Sequence, residues 1–300
     1  MKLCEIAEQV DRHALKHPSS DQPIPLVVDG LSIFRQASCT TFEALLYQPV
    51  ACLILQGSKE TVIGDRTVTY GTGDSLVVSH DVPVVARVTE ASAEKPYLGV
   101  ILELDMGIIR SLDDEIGAIQ SEDKNALSVD VSASDDALID AFGRCVALID
   151  RPLEARALAP LIIREIHFRL LMAPHGAMLR RLRWHDSHAS RIQMAVAHIR
   201  QNYKSVLAVA DLAKLAGMST SSFHEHFKSV TATTPLQYQK HLRLMEAKRL
   251  LSEGNHAVST VAYEIGYESL NQFSREYARK FGASPRKDLS KLSATTSNAS

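Results

Sequence analysis

Residues 211–228 read DLAKLAGMSTSSFHEHFK, and residues 261–280 read VAYEIGYESLNQFSREYARK. Both follow one grammar: an apolar helix, a glycine, a short turn, then a polar helix with aromatics four apart. In the first, Leu212, Leu215 and Ala216 form the apolar face of a supporting helix, and Ala213 is small where two helices must approach. Gly217 supplies the left-handed residue that ends that helix. Ser219 is placed to cap the next helix, Phe223 and Phe227 bury, and Thr220, Ser221, His224, Glu225 and Lys228 face outward.

The second stretch repeats this. Val261 and Ile265 are apolar, Ala262 is the small contact, and Gly266 ends the helix. Ser269 with Gln272 makes a capping box, Phe273 and Tyr277 bury, and Leu270, Asn271, Gln272, Arg275 and Arg279 project. Asn and Gln suit adenine edges, Arg suits guanine or phosphate, and Glu accepts from a cytosine amino group. Two helix-turn-helix units in tandem therefore point to double-stranded DNA. The base-reading set is Ser221, His224, Glu225, Leu270, Asn271, Gln272 and Arg275. The phosphate set is Thr220, Lys228, Ser269, Arg279 and Lys280. The presumed recognition helices start near residues 221 and 270, and a long amphipathic helix at 237–251 lies between them. If it holds them about 34 Å apart, one chain enters successive major-groove turns.

The charge balance agrees. Residues 190–300 carry 15 Lys and Arg against 8 Asp and Glu, whereas residues 1–189 carry 18 against 27. A basic module joined to an acidic one implies a polyanionic ligand for the basic part alone. With 300 residues, 45% hydrophobic and 23% charged, the chain has material for about two domains. Four cysteines, Cys4, Cys39, Cys52 and Cys145, lack a metal or disulfide spacing and fit a reduced compartment. The polar N-terminus has no signal-peptide core, and no apolar run is long enough to span a bilayer. The expected location is the cytoplasm, with no membrane partner.

Upstream, residues 2–16 have helical periodicity, and residues 26–104 alternate short β-rich runs with Gly and Asp turns. Strands are expected at 51–56, 60–63, 66–70, 75–79, 84–89 and 97–104, forming an antiparallel sandwich or small barrel. Helical stripes return at 137–150 and 159–172, with Pro160 in a first turn. They suggest a helical hairpin packed on the barrel or on another subunit. Residues 184–190 read as a linker, and 292–300 as a small, polar, disordered tail. His185 and His188 are linker residues rather than metal ligands, and the strand region has one histidine, His80. No nucleophile elbow, phosphate loop or dinucleotide fingerprint occurs, so neither a catalytic residue nor a cofactor is expected. Cys39 and Cys52 are read as inert, with a reactive thiol sensor the alternative.

These residues also carry a resemblance. Asp211-Leu212-Ala213, Gly217-Met218-Ser219, Phe227-Lys228, Thr234-Pro235-Leu236-Gln237-Tyr238, Leu242-Arg243-Leu244 and Ala247 are similar to the AraC/XylS bacterial transcription regulators. So are Val261-Ala262, Ile265-Gly266-Tyr267-Glu268-Ser269, Phe273-Ser274-Arg275 and Phe281-Gly282-Ala283-Ser284-Pro285. Tyr47-Gln48-Pro49, Leu55-Gln56-Gly57-Ser58-Lys59, Gly64-Asp65, Pro96-Tyr97-Leu98, residues 160–166, Gly176 and Leu179-Arg180 resemble a sensor type of that family. The resemblance implies an α+β chain. Residues 1–183 would be a cupin-like antiparallel β-barrel with a helical hairpin, and residues 191–291 an all-α domain with two helix-turn-helix units. It implies a sequence-specific transcriptional regulator controlled by a small organic effector or by homodimerisation. RNA polymerase is a partner if the chain activates. The competing reading is a cupin enzyme with an appended nucleic-acid module. Three departures stand out. Glu225 sits where similar proteins often carry Arg, residues 285–289 lack the usual Tyr-Arg, and Ala208 replaces a capping Ser or Thr at a cost of about 1 kcal/mol.

Overall fold

The computed structural model describes residues 1–17, 22–64, 66–117, 129–174, 176–182, 188–252 and 256–288. Asp65, the linker residues 184–187 and the tail 292–300 lie outside the described residues. The chain divides into two compact units, one of residues 1–42 and 47–190, the other of residues 43–46 and 191–300.

The first unit opens with helix α1 (Leu3–Ala14), whose Ile6, Ala7, Val10 and Ala14 are buried. Among the described residues the chain has ten strands: β1 (Ile24–Pro25), β2 (Leu31–Gln36), β3 (Glu43–Tyr47, whose first four residues are counted with the second unit), β4 (Val50–Gln56), β5 (Ser58–Ile63), β6 (Arg66–Gly71), β7 (Asp74–Val78), β8 (Val82–Glu90), β9 (Tyr97–Glu103) and β10 (Val129–Ala133). Helices α2 (Met106–Ile116), α3 (Asp136–Val146), α4 (Pro152–Met172) and α5 (Gly176–Leu182) complete the first unit. The strands form two sheets, ordered β1-β2-β9-β4-β7-β10 and β3-β8-β5-β6, with antiparallel pairing.

Strand β4 shows why a simple in–out alternation is not visible in its sequence. It is buried along five consecutive residues. Ala51, Leu53 and Leu55 pack into the same cluster as Ile6, Val10, Phe142, Ile166 and Leu170 of the helices. By the two-residue period, Cys52 and Ile54 face the other way. Strand β9 does the same, with Leu98, Val100 and Leu102 toward the helices. The six-stranded sheet is thus apolar on both faces. His167 ties α4 to this layer: its Nε2 accepts the Asp105 N–H (2.9 Å), and its Nδ1 donates to the Ile163 carbonyl (2.7 Å).

The expected strands are present with shifted ends, and β2, β3 and β10 were not assigned individually from the pattern. Pro160 does not open a helix. Pro152 does, and Pro160 lies inside α4, which begins a full two turns earlier than expected.

The second unit is helical: α6 (His188–Gln201), α7 (Val209–Leu215), α8 (Thr220–Thr231), α9 (Pro235–Ser252), α10 (Val258–Glu264) and α11 (Leu270–Phe281). Residues 188–190, expected in the linker, begin α6. Two cores share α9. Tyr238 and Leu242 join Ile192, Val196, Leu212, Phe223 and Phe227, whereas Leu244, Ala247, Leu250 and Leu251 join Val261, Ile265, Phe273 and Tyr277. Leu215, expected on the apolar face, is 44% exposed, and Ala213 takes the buried place. Ala208 and Ala257 both stand at helix starts without a side-chain cap.

The two units are copies at a fixed spacing. Ser219 and Ser269 cap their helices, Phe223 and Phe273 bury, Phe227 and Tyr277 bury, Ala232 and Gly282 end the helices left-handed, a constant offset of 50 residues. Before the caps the offset is 49: Gly217 N–H bonds Lys214 and Met218 N–H bonds Ala213, as Gly266 bonds Tyr263 and Tyr267 bonds Ala262. The second turn therefore holds one extra residue, Glu268. Gly266 (φ +88) is needed twice over, because a Cβ there would overlap the Lys204 carbonyl. Ala232 (φ 56) is the one non-glycine residue with positive φ among the described residues. L-residues pay for that conformation, and the equivalent position already holds Gly282. Gly266→Ala is expected to lower the urea-unfolding free energy of this unit by about 2–5 kcal/mol, followed by helical circular dichroism. Ala232→Gly is expected to raise it by about 0.5–1 kcal/mol. A lower midpoint for Ala232→Gly would refute the strain assigned to that turn.

Candidate nucleic-acid interface

Helices α8 and α11 each bury a pair of aromatic rings, Phe223 with Phe227 and Phe273 with Tyr277, at centroid separations of 5.5 Å. Burying that stripe orients the opposite face outward. On α8, Thr220, Ser221, His224, Glu225 and Lys228 are all exposed. On α11, Asn271, Gln272, Arg275 and Arg279 are exposed. Among the described residues, no carboxylate lies within salt-bridge distance of Lys228, Arg275 or Arg279, and Glu225 pairs with neither His224 nor Lys228. Among the described residues, Glu225, Lys228, Arg275 and Arg279 therefore have no ion pair to give up on meeting a ligand.

Four expected contacts sit differently. Lys280 is seven residues from Phe273, on the inward stripe. Burial lowers its ammonium, and it lies beside His241 of α9, which burial together with Lys280 and Lys240 pushes down to about 4. That placement takes Lys280 away from the outward set. Leu270 is partly buried against the second core. Ser269 is occupied as a cap, its Oγ accepting the Gln272 N–H at 3.3 Å. Gln272 does not complete the capping box, since its Nε2 donates instead to Glu276 at 3.4 Å. Glu276 also receives Tyr267 O–H at 2.7 Å and Lys240 at 3.0 Å. Burial works to raise that carboxyl, and these hydrogen bonds outweigh it and hold it low.

Arg243 lies on α9 between the two cores. Its Nε donates to the Tyr203 carbonyl (2.7 Å), Nη1 to Gly266 (2.8 Å), and Nη2 to Ser205 (2.9 Å) and Lys204 (3.1 Å). Gln239 Nε2 donates to Tyr203 (2.9 Å) and Ser205 (2.6 Å). The loop after α6 and the turn of the second helix-turn-helix are thereby tied to one point on α9. In the sequence Arg243 is one charge among several on this helix, with Lys240, Glu246, Lys248 and Arg249, and nothing in the pattern sets it apart.

Elsewhere, no group of three His, Cys, Asp or Glu side chains suited to a metal occurs among the described residues. No helix among them is long and apolar enough to cross a membrane. Burial pushes the Cys52 thiol up to about 12, which removes the thiolate a reactive sensor needs. Cys39 is exposed and donates to the Thr89 carbonyl at 3.3 Å.

Comparison with known proteins places this geometry. Residues 27–178 match the AraC-type transcriptional regulator N-terminus, and residues 212–290 match a helix-turn-helix domain. The raffinose operon transcriptional regulatory protein RafR of Pediococcus pentosaceus is 32% identical over 112 residues, 35% of this chain and 40% of that protein. The transcriptional activator RhaS of Escherichia coli O1:K1 / APEC is 29% identical over 143 residues, 47% of this chain and 50% of that protein. The chain thus spans half or less of these relatives' length. Wild-type ToxT from Vibrio cholerae strain SCE256, solved with an unsaturated fatty acid bound, has the same fold at 10% identity. That match has a TM-score of 0.56 and covers 91% of this chain and 97% of ToxT. The two domain matches, one spanning more than half of the chain, are decisive: the chain belongs to the AraC-type transcriptional regulators.

Proposed function

We propose that this chain is a cytoplasmic, non-enzymatic regulator that binds a DNA operator through α8 and α11. Residues 1–183 act as the sensor and dimerisation domain, 184–190 as the linker, and 191–291 as the reader. The observation that carries the reading is the pair of exposed polar helix faces whose supporting cores share α9. At 18 residues α9 is about 27 Å long, a single helix that joins the cores of both helix-turn-helix units. Ser221, His224, Glu225, Asn271, Gln272 and Arg275 read bases; Thr220, Lys228 and Arg279 hold phosphates. The relatives are transcriptional regulators, which favours this role over a cupin enzyme carrying a nucleic-acid module. A small organic effector bound by the N-terminal unit would shift the balance between DNA-binding arrangements. RNA polymerase becomes a partner if the chain activates.

A second copy is the partner we assign to the outer face of α4. Leu158, Leu161, Phe168 and Met172 are 43%, 66%, 37% and 52% exposed, on a helix whose other face is fully buried. These four apolar side chains share one side of a 21-residue helix, with Glu154 and Glu165 among them, so two copies can cover each other about a twofold axis. Leu161→Glu is expected to convert dimer to monomer in sedimentation; a monomeric native chain, or a dimer that survives the change, would remove this assignment.

The DNA reading is tested by binding of the full chain to an operator selected from random-sequence DNA. Arg275→Ala is expected to weaken binding by about 1–3 kcal/mol and to relax preference at one base pair. Lys228→Ala is expected to weaken all sequences alike and to reduce the salt slope by about 1. Equal weakening on every sequence for Arg275→Ala would make it a backbone contact, and no effect from either would overturn the assignment of the faces.

A further inference from the structure

The inner faces of the two sheets carry an unusual set of groups. Lys59 of β5 pairs with Tyr70 and Val88, and shares its strand face with Thr61 and Ile63. Tyr47 Oη, Thr61 Oγ1 and Tyr70 Oη lie within 3.0–3.2 Å of one another, a closed triangle of hydroxyls. From the six-stranded sheet, Phe34 and Tyr97 face the same space, with ring centroids 6.0 Å apart. Tyr97 is 3% exposed, and its hydroxyl has no hydrogen-bond partner among the described residues. Burial, with Cys52 and Tyr47 nearby, pushes that phenol up, so it stays a donor.

Lys59 is the only cation on this set of faces among the residues just named. Its ammonium sits over the Phe34 ring at 5.4 Å and the Tyr47 ring at 5.5 Å. Among the described residues, no carboxylate comes within salt-bridge distance of it. The carboxylate next in sequence, Glu60, points to the opposite face, where it holds Arg87 at 2.6 Å. Two aromatic faces offset part of the ammonium's desolvation and leave its three N–H donors without an anion. An unpaired phenol and an unpaired ammonium, set among aromatic and aliphatic side chains, are both donors. A neutral sugar could satisfy the hydroxyls but would leave the ammonium without a counter-charge, which a carboxylate supplies.

We propose that the effector is an organic monoanion, a carboxylate on an aromatic or aliphatic body, held between the sheets by Lys59 and the Tyr97 hydroxyl with its body against Phe34 and Tyr47. This rests on reading the N-terminal unit as a sensor. The ion pair forms in a space where burial strengthens charge-assisted hydrogen bonds, which makes the charge the main determinant of affinity. Lys59, Phe34 and Tyr47 are partly exposed whereas Thr61, Tyr70 and Tyr97 are buried, so the ligand enters carboxylate-side at Lys59.

The test is a thermal-shift and calorimetric titration of the full chain with benzoate and octanoate, each beside its neutral amide, and with L-rhamnose. At least one acid is expected to bind saturably at millimolar concentration or below, and its amide at least about tenfold more weakly. Lys59→Met is expected to bring the acid down to the amide's level, Lys59→Arg to keep most of the preference, and Tyr97→Phe to weaken the acid several-fold. If Lys59→Met does not fold, by near-ultraviolet circular dichroism, the acid-to-amide ratio in native chain and in Tyr97→Phe decides. Equal binding of acid and amide, preference for rhamnose, undiminished acid binding by Lys59→Met, or no binding of either acid would each overturn the proposal. Operator binding by the same preparations is measured in parallel. If it persists while the acids fail, the effector class is wrong and the regulator reading stands; if it is absent, the regulator reading itself falls.

Discussion

Arg243 is the joint on which the DNA-reading half depends. A guanidinium is planar, always charged and carries five donors in a fixed fork, and here that fork meets four backbone carbonyls from two separate parts of the unit. Three belong to the loop that leaves α6 and one to the glycine turn of the second helix-turn-helix. The Tyr203 and Ser205 carbonyls also accept from Gln239, whereas losing the donor to a buried carbonyl at Lys204 or Gly266 costs about 1–3 kcal/mol. Gly266 makes the arrangement possible, since only a residue without Cβ lets the turn approach Lys204 so closely. The result is a second helix-turn-helix fixed by backbone contacts as well as by its own small core. A shared helix alone would leave it free to twist about that helix.

The N-terminal unit solves a different problem. Its six-stranded sheet is covered by helices on one face and looks onto a second sheet on the other, so its central strands are apolar throughout. On the inner faces the hydroxyl triangle, Tyr97 and Lys59 collect. Polar side chains in such a position lower stability unless they pair or serve a ligand. The triangle pairs internally; among the described residues Lys59 has no carboxylate partner and the Tyr97 hydroxyl no hydrogen bond. This contrast separates a structural polar cluster from a site waiting for a partner.

Much of this was readable in the residues, for identifiable reasons. The paired Gly turns, capping serines and aromatics four apart are local chemistry, and each has one structural solution. Arg275, Arg279, Asn271 and Lys228 fall outward because buried rings fix the helix faces. Lys280 sits beside His241, a placement that depends on α9 and that the pattern of its own helix does not carry. Pro160 fits a helix start by its chemistry, yet Pro152, eight residues earlier, fills that role. The interior of the strand region was closed to sequence reading altogether. Lys59 and Tyr97 lie on different sheets, and only the register of β5 against β6 and β8, and of β2 against β9, puts them in one space. Arg243 looked like one more helix charge because its partners are carbonyls, which carry no sequence signature.

The central claim is that both recognition faces belong to one rigid body of fixed span. The direct measurement is the affinity of the chain for a selected operator with base pairs inserted between the two contacted segments. A fixed span predicts that about 5 inserted base pairs, half a helical turn, reduce binding to that of a single segment. About 10, a full turn, would restore the facing but not the distance, and would leave binding equally weak. Full affinity after either insertion would contradict the account, since it would mean that the two helix-turn-helix units move independently along the groove.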